Sequence, residues 1–531
     1  MSGSDRRGTA PAWLAHRRRA LVRRSLPSLL LLAPVTLALA LYFPSLRFSF
    51  LLDDSYDLLL ARETRYQDLL LRPLPGFSYY RPLTFVVYKL VHDLAGGQDP
   101  WPYHALAVLL HATNVLLIGR LVQRLVGRSA SALAAALFAC FPFAYQAVQI
   151  VCSLPHLLVT SCLFGALLAW LRAGGETTRR WSWRGLALLL ALAAPGFHET
   201  GALAGLLLLT GMLACKDTRR AWRALTPWLA CALVGNGAYV AVWFWGFTKP
   251  GPRAVTWTDR LQNVAFWLQA AAYPVTRQLT VLFDAGWLTR HAWSAVTVSA
   301  LLALGAGLFV HGLGGQARSA AVVLALGFLL FSPAAFFLPY PGYVEDSPRL
   351  LYPAGPAITA FWGSLPAGAW RWPRGRPVAV ALSSLLVVLT LLQGVTFVVR
   401  RTELAERASA AQEAVVAAAR AAPGWPLVVV NGPAWLALHW YEYPIGHFGM
   451  NAQPSYHGYD ALLQVRLGWR APVRSLAVEP ATHQRDWTFG SHGQPGTFAD
   501  VAAARLAGWH IVYLVASERG FSTTGSAALV R

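Results

Sequence analysis

Pro195-Gly196-Phe197-His198-Glu199-Thr200 interrupts an apolar run from Gly185 to Cys215, and its reading decides the fold on both sides of it. Read as one helix, the run crosses a bilayer once and inverts the orientation of everything that follows. Read as two short helices, it turns back on itself. Proline removes a backbone donor and clashes with the preceding turn, and glycine next to it raises the cost of helix further. Both flanks are basic, with Arg172, Arg179, Arg180 and Arg184 before the run and Lys216, Arg219, Arg220 and Arg223 after it. Short loops rich in lysine and arginine remain cytoplasmic, so a hairpin returning to the side it left fits better than a single crossing.

The same logic extends along the chain. Of 531 residues 56% are hydrophobic and only 13% charged, against about a quarter charged in an ordinary soluble domain. Lipid must therefore cover part of the surface. A crossing needs roughly 20 apolar residues, and runs of that kind occur near 26–46, 103–122, 130–151, 155–172, 184–197, 200–215, 225–246, 293–312, 319–338, 350–367 and 377–397. Arg120, Arg124 and Arg128, then Arg318, then Arg371, Arg374 and Arg376 mark further cytoplasmic ends. The fold class expected is an all-α polytopic membrane protein of about eleven crossings. A basic cytoplasmic arm (1–25) precedes a transmembrane region (26–399), and a small extracytoplasmic α/β domain (400–531) follows it. External loops are expected at 48–102, with an interfacial helix at Tyr80–Leu94, and at 248–290. In the last part, Thr402–Ala421 reads as a helix ended by Pro423-Gly424, and Pro426–Asn431 and Trp509–Val515 read as strands.

The net charge of +21 does not indicate nucleic acid, because the basic residues gather at the ends of apolar runs, as in Arg17-Arg18-Arg19 and Arg23-Arg24. The first apolar run is too long for a signal peptide and lacks a small-x-small cleavage site. The five cysteines lie in or beside apolar segments without a CxxC pair, and read as small buried hydrophobes. There is no glycine-rich nucleotide loop, HExxH or GxSxG, and no internal repeat.

Four polar clusters fall on the external side of this topology. Leu51-Leu52-Asp53-Asp54-Ser55-Tyr56-Asp57 follows the first run. Adjacent carboxylates at a membrane boundary need solvent, a partner or a cation, and Asp53 or Asp54 reads as a base or acceptor-orienting group, or else as a helix cap. Tyr79-Tyr80-Arg81-Pro82-Leu83-Thr84 offers an arginine able to hold a phosphate, or one merely snorkelling to the interface. His198-Glu199 sits at the hairpin tip, as a functional pair or as turn residues. Glu345-Asp346-Ser347-Pro348-Arg349-Leu350-Leu351-Tyr352-Pro353 offers a second arginine, for phosphate or for an ion pair with Glu345 or Asp346. His104 and His111, seven residues apart on one helix face, read as interhelical hydrogen-bond partners before metal ligands.

Taken in order, the acidic pair, Tyr79-Tyr80-Arg81-Pro82-Leu83-Thr84, Tyr103-His104 with His111 and Asn114, Leu137-Phe138-Ala139-Cys140-Phe141-Pro142 with Gln146, and Arg349-Leu350-Leu351-Tyr352-Pro353 resemble the membrane-embedded GT-C glycosyltransferases. The likeness is to the protein O-mannosyltransferase-like branch, over residues 26 to about 397, without its tetratricopeptide repeats. That branch has Lys-Glu at the hairpin, where this chain has His198-Glu199, and Arg-Tyr-Leu-Tyr-x-Pro where this chain has Arg349 to Pro353.

The resemblance implies a polyprenyl-phosphate sugar donor, with mannose as the candidate sugar, inversion at the anomeric carbon and a protein or glycan acceptor. Asp53 and Asp54 are then the catalytic candidates and Arg81 and Arg349 the donor phosphate ligands. His198, Glu199, Tyr80, His104 and Tyr352 are expected to position substrate or a cation. A divalent cation is left open, and no metal ligands are assigned. The expected location is the plasma (inner) membrane of a prokaryote, with the N-terminus cytoplasmic. Two competing readings are a transporter or flippase of lipid-linked saccharide, and a non-enzymatic membrane protein with a ligand-binding outer domain.

Overall fold

The chain does reverse at His198. A computed structural model describes residues 30–74, 79–175, 179–246, 255–338, 341–372, 375–440, 442–453, 458–518 and 520–524. The basic arm 1–25, Arg374 and the start of the second expected loop lie outside the described residues. Helix α1 (Leu32–Tyr42) leads to α2 (Asp54–Glu63) and α3 (Pro82–Ala95), the latter ending on Gly96. The bundle continues with α4 (Trp101–Leu125), α5 (Arg128–Ala139), α6 (Leu154–Gly175), α7 (Arg180–Phe197) and α8 (Ala204–Ala214). It is completed by α9 (Trp222–Gly246), α10 (Trp257–Ala271), α11 (Ala285–Leu313), α12 (Ala317–Phe337), α13 (Gly355–Gly363) and α14 (Arg376–Ala421).

Helix α7 stops because His198 is extended (φ −160°, ψ 148°). A short 3-10 turn, Glu199–Leu203, then feeds α8 in the return direction. At one end of α6 the His156 ring lies 4.5 Å from that of His198, and at the other Thr218 closes over Gly174. The chain therefore descends α6, climbs α7 and descends again along α8.

Close backbone packing fixes the tip. A Cβ on Gly201 would lie 2.2–2.4 Å from the Ala194 carbonyl group and the Pro195 nitrogen. Gly201→Ala is therefore expected to push the turn off α7, lowering stability by about 1–3 kcal/mol and displacing Glu199. An unchanged melting temperature in detergent would refute this packing argument.

Among the described residues six helices are long and apolar enough to cross a membrane, or seven if the bent pair Arg128–Ala139 and Pro142–Gln149 is one span. Eleven were expected, and the difference has local causes. The runs near 200–215 and 26–46 form shorter helices, and α7 carries Arg180 and Arg184 in its first turns. The 350–367 run is divided between Pro348–Leu351, α13 and a further short helix, Leu365–Trp370, each with proline at its start. At 397–402 the difference runs the other way. No residue there breaks a helix, and α14 continues for 46 residues from the last apolar run into the polar region. All five cysteines are free, but Cys231 is exposed where burial was expected.

After Ala421 the polypeptide forms a mixed domain. Strand β1 (Leu427–Val430) is central in a five-stranded sheet of order β7-β4-β1-β8-β9, parallel to β4 (Val473–Ala477) and β8 (His510–Ser517). In this sheet β7 is Gln494–Pro495 and β9 is Gly520–Thr524. The four residues of β1 are all buried, as a strand covered on both faces requires. A second, antiparallel sheet has the order β3-β2-β6-β5, with β2 at Pro433–Leu438, β3 at Met450–Asn451, β5 at Ala481–His483 and β6 at Trp487–Ser491.

Glu442 of this domain reaches the bundle, where Arg401 (2.7 Å), Arg400 (3.3 Å) and Arg277 (3.6 Å) converge on its carboxylate. Arg401 is 1% exposed. The Nη2–Oε2 approach is an ion pair whose angle falls short of a hydrogen bond, since Oε2 has no such partner.

Candidate active site

The acidic stretch after α1 is bent into place from two directions. Leu52 is left-handed (φ 51°), a rare conformation for a bulky side chain, and its N–H donates to the Ala452 carbonyl of the C-terminal domain at 2.9 Å. Asp54 is fully buried, with Oδ2 accepting from Leu51 N–H (2.9 Å) and Oδ1 from Cys152 N–H (2.6 Å). It thereby ties the first loop to the bend before α6. Asp53 precedes α2 as its N-cap residue and remains half-buried.

Burial pushes Asp54 up to about 7, against the pull of the backbone donors from Leu51 and Cys152. Asp57, one turn along α2, is also pushed well up, by burial and then by Asp53 and Asp54. A carboxyl raised in the folded state binds its proton more tightly there than in the unfolded chain. Its stabilising contribution is full below the ordinary value of 3.8 and is lost as pH rises through about 7. Thermal stability is therefore expected to fall between these limits, and Asp54→Asn to flatten that slope. Identical slopes would refute the assignment.

Arg81 caps α3 and faces the hairpin tip. Its Nε donates to Glu199 Oε1 and Oε2 at 3.1 Å each, and its Nη2 to Oε2 at 2.8 Å. The guanidinium also lies 4.1 Å over the Tyr79 ring. Arg349 comes from the short helix Pro348–Leu351. Its Nη1 donates to Gln146 Oε1 at 3.1 Å, while Gln146 Nε2 donates to the Asp346 carbonyl at 3.1 Å. Among the described residues Arg349 makes no ion pair with Glu345 or Asp346, the alternative that sequence left open. Asp53 instead is among the charges that act on Arg349, and Asp57 feels Arg81. The Asp53, Arg81, Glu199 and Arg349 side chains thus share one electrostatic neighbourhood at the end of the bundle where the C-terminal domain docks.

His198 joins it through the hairpin, with Nδ1 accepting from Thr200 N–H at 3.2 Å and Glu199 Oε2 3.6 Å away. His156 was not singled out in the sequence, yet it packs on His198. Its Nδ1 and the Nε2 of His198 are buried with no partner among the described residues. The only prior hint was a histidine at the mouth of an apolar run, beside Pro155.

Three expected residues serve elsewhere. Tyr352 is buried, bonded through its hydroxyl to His111 Nδ1 (2.8 Å) and Asn114 Nδ2 (3.2 Å), and so holds α4. His104 is buried and packs edge-on to Phe48. Tyr80 donates to the Leu70 carbonyl and stacks on Tyr239. No group of three or more His, Cys, Asp or Glu among the described residues is placed to hold a metal ion.

Residues 79–245 match the family model for dolichyl-phosphate-mannose-protein mannosyltransferase. Protein O-mannosyl-transferase Tmtc2 of Drosophila melanogaster is 31% identical over 157 residues, 29% of this chain and 14% of its own length. Protein O-mannosyl-transferase TMTC2 of Mus musculus is 31% identical over 163 residues, 28% of this chain and 19% of its own. The match thus spans less than a fifth of either relative. Among solved structures, apo ArnT from Cupriavidus metallidurans aligns at a TM-score of 0.43 and 14% identity, over 91% of this chain and 92% of that one. AglB from Archaeoglobus fulgidus, in complex with an inhibitory peptide and a dolichol-phosphate, aligns at 0.45 and 11%, over 85% and 64%. The matched segment contains Arg81, His156, His198 and Glu199, while Asp53 and Arg349 lie outside it. The chain resembles the GT-C superfamily in its protein O-mannosyltransferase-like branch, and residues 79–245 carry that likeness.

Proposed function

We propose that this protein is a glycosyltransferase that moves a sugar, mannose first among candidates, from a polyprenyl-phosphate carrier to an acceptor hydroxyl on the extracytoplasmic side. The observation that carries the reading is that Arg81, held by Glu199, and Arg349, which feels the charge of Asp53, both act on His156, although Asp53 and Arg349 are hundreds of residues apart in sequence. The description of the matching family, which names a dolichyl-phosphate-mannose donor, supports the same donor class.

In this reading the carrier chain lies in lipid and its phosphate meets Arg349. Arg81 turns Nε and Nη2 to Glu199, and Nη1 bonds to no described residue, leaving that edge for the phosphate. The acceptor oxygen attacks the anomeric carbon, and its proton passes to Asp53. The bond from carbon to phosphate oxygen breaks, and polyprenyl phosphate departs with the electron pair. Because the leaving group is already an anion, cationic stabilisation outweighs any need for a general acid. The open nitrogens of His156 and His198 are suited to the sugar hydroxyls. Asp54 is the brace, since both its oxygens are occupied and its proton is retained to about 7.

The test is to incubate the purified protein in lipid nanodiscs with polyprenyl phosphates carrying labelled mannose, other hexoses or pentoses. Release of carrier phosphate from at least one is expected. Movement of intact donor between leaflets without release would replace this reading with transport.

A further inference from the structure

A second cavity, of about 290 Å³, opens between the first turns of α11, the segment ending at Glu345 and the outer-domain loop 444–447. Its walls include Leu288, Thr289, Trp293, Glu345, Gly446 and His447. We propose that this cavity is a saccharide subsite that takes one neutral sugar ring of the acceptor, with Trp293 as its stacking face and the Glu345 carboxyl as its hydrogen-bonding group. The assignment to the acceptor rests on the transferase reading above, whereas the binding of a sugar does not.

The loop forming one wall is held rigidly. Gln269 of α10 clamps Ile445 by both backbone groups, donating from Nε2 to its carbonyl at 2.7 Å and accepting its N–H at 2.9 Å. Gly446 is left-handed (φ 95°), and a Cβ there would stand 3.2 Å from the Glu345 carbonyl oxygen and 3.3 Å from the Phe266 ring. The loop can thus approach Glu345 only with glycine at this position. The cavity is preformed before any ligand enters, which spares binding the cost of ordering a loop.

Glu345 bonds to and pairs with no described side chain. Burial, and then Asp346, raises its carboxyl to about 7, so at neutral pH it presents both an O–H donor and an acceptor. Sugars offer hydroxyls that need both roles, together with a C–H face that lies well on an aromatic ring. Thr289 and His447 add polar edges, while Leu288 keeps one side apolar. An aromatic wall with a few convergent polar groups is the usual make-up of a small-molecule pocket, and this volume sits at the small end of that range.

The cavity also adjoins the reaction site through one short stretch of chain. Glu345 begins it and Arg349 ends it, and Gln146 holds both the Asp346 carbonyl and the Arg349 guanidinium. A sugar ring at Glu345 would be held one helical turn in sequence from the phosphate-binding arginine.

The full-length protein in phosphatidylcholine nanodiscs would be titrated with methyl α-mannoside, methyl α-glucoside and methyl α-galactoside, with binding read by saturation-transfer NMR. At least one should bind. Trp293→Ala and Glu345→Ala should each weaken it about tenfold, and Trp293→Phe should restore most of it. Both alanine variants should also raise the acceptor KM, and each should elute and melt as the wild type does, which shows that they fold. Asp53→Asn should bind the glycosides as the wild type does. Sugar binding lost in these variants supports the subsite even if no donor turns over, and that case refutes only the transferase reading. A wild-type protein that binds none of the three, or variants that bind equally well, would overturn the subsite.

Discussion

Asp53→Asn is expected to lower sugar transfer by about 10²–10⁴-fold in a protein that still folds and still binds donor. The loss should fall on kcat, because asparagine keeps the size and polarity of the side chain but cannot take a proton. Asp54→Asn is expected to behave differently. Asp54 accepts two backbone N–H groups from Leu51 and Cys152 with its two oxygens. An amide replaces one of these acceptors with a donor that faces a donor. That variant should melt lower than the wild type and lose activity through displacement of the loop. Assaying both variants alongside their melting curves separates the roles. Full transfer by Asp53→Asn would remove it as the base, and a fully stable but inactive Asp54→Asn would exchange the two assignments.

Glu442→Gln is expected to produce the largest change in stability, about 3–5 kcal/mol. The carboxylate is 4% exposed and answers three guanidinium groups, those of Arg277, Arg400 and Arg401. Removing its charge leaves three cations facing one another, one of them fully buried with Nε and Nη1 lacking partners among the described residues. Arg400, 40% exposed and near Trp440, can swing out to solvent, but Arg401 cannot. The site joins α14 and the loop before α11 to the outer domain, so the loss should appear as early exposure of the region after Ala421 to protease. Arg400→Gln is the mild counterpart and should cost well under half as much. Equal melting temperatures for Glu442→Gln and the wild type would show that the cluster does not hold the domain.

Much of the site was legible because its residues are chemically conspicuous where they stand. Asp53, Arg81, Glu199 and Arg349 are ionisable groups at the margins of apolar runs, and sequence reveals such groups directly. What sequence does not reveal is which of two candidate partners each one meets. Arg349 had acids three and four residues before it, yet it turns to Gln146 and Asp53's field. Arg81 looked available, yet Glu199, 118 residues later, holds two of its nitrogens. Tyr352 and His104 carried the same polar signal as Asp53 and Arg81, but interhelical packing claimed Tyr352. His156 failed to register because a single histidine beside an apolar run is ordinary. Its significance lies in the contact with His198 that the hairpin creates.

The reversal at Pro195–Thr200 could be read because proline and glycine act locally, and the strands β1 and β8 because short apolar runs flanked by turns announce themselves. Span number was harder. Apolar length counts hydrophobic residues, whereas proline at 348, 356 and 366 cuts the same residues into short pieces. Conversely, a change in composition near residue 400 suggested a break where the backbone has no reason to make one.

The 46 residues of α14 form a single rod of roughly 69 Å, at 1.5 Å per residue. Such a rod is a lever with one arm in the apolar bundle and the other in the C-terminal domain. Tilting it by about 10° about its membrane end sweeps the far end through roughly 12 Å, several times the length of any hydrogen bond described above. Bilayer thickness sets the tilt of a helix whose apolar length it must match. The thickness of the surrounding lipid thereby bears on the C-terminal domain that α14 carries, whose Ala452 carbonyl accepts from Leu52 N–H beside Asp53.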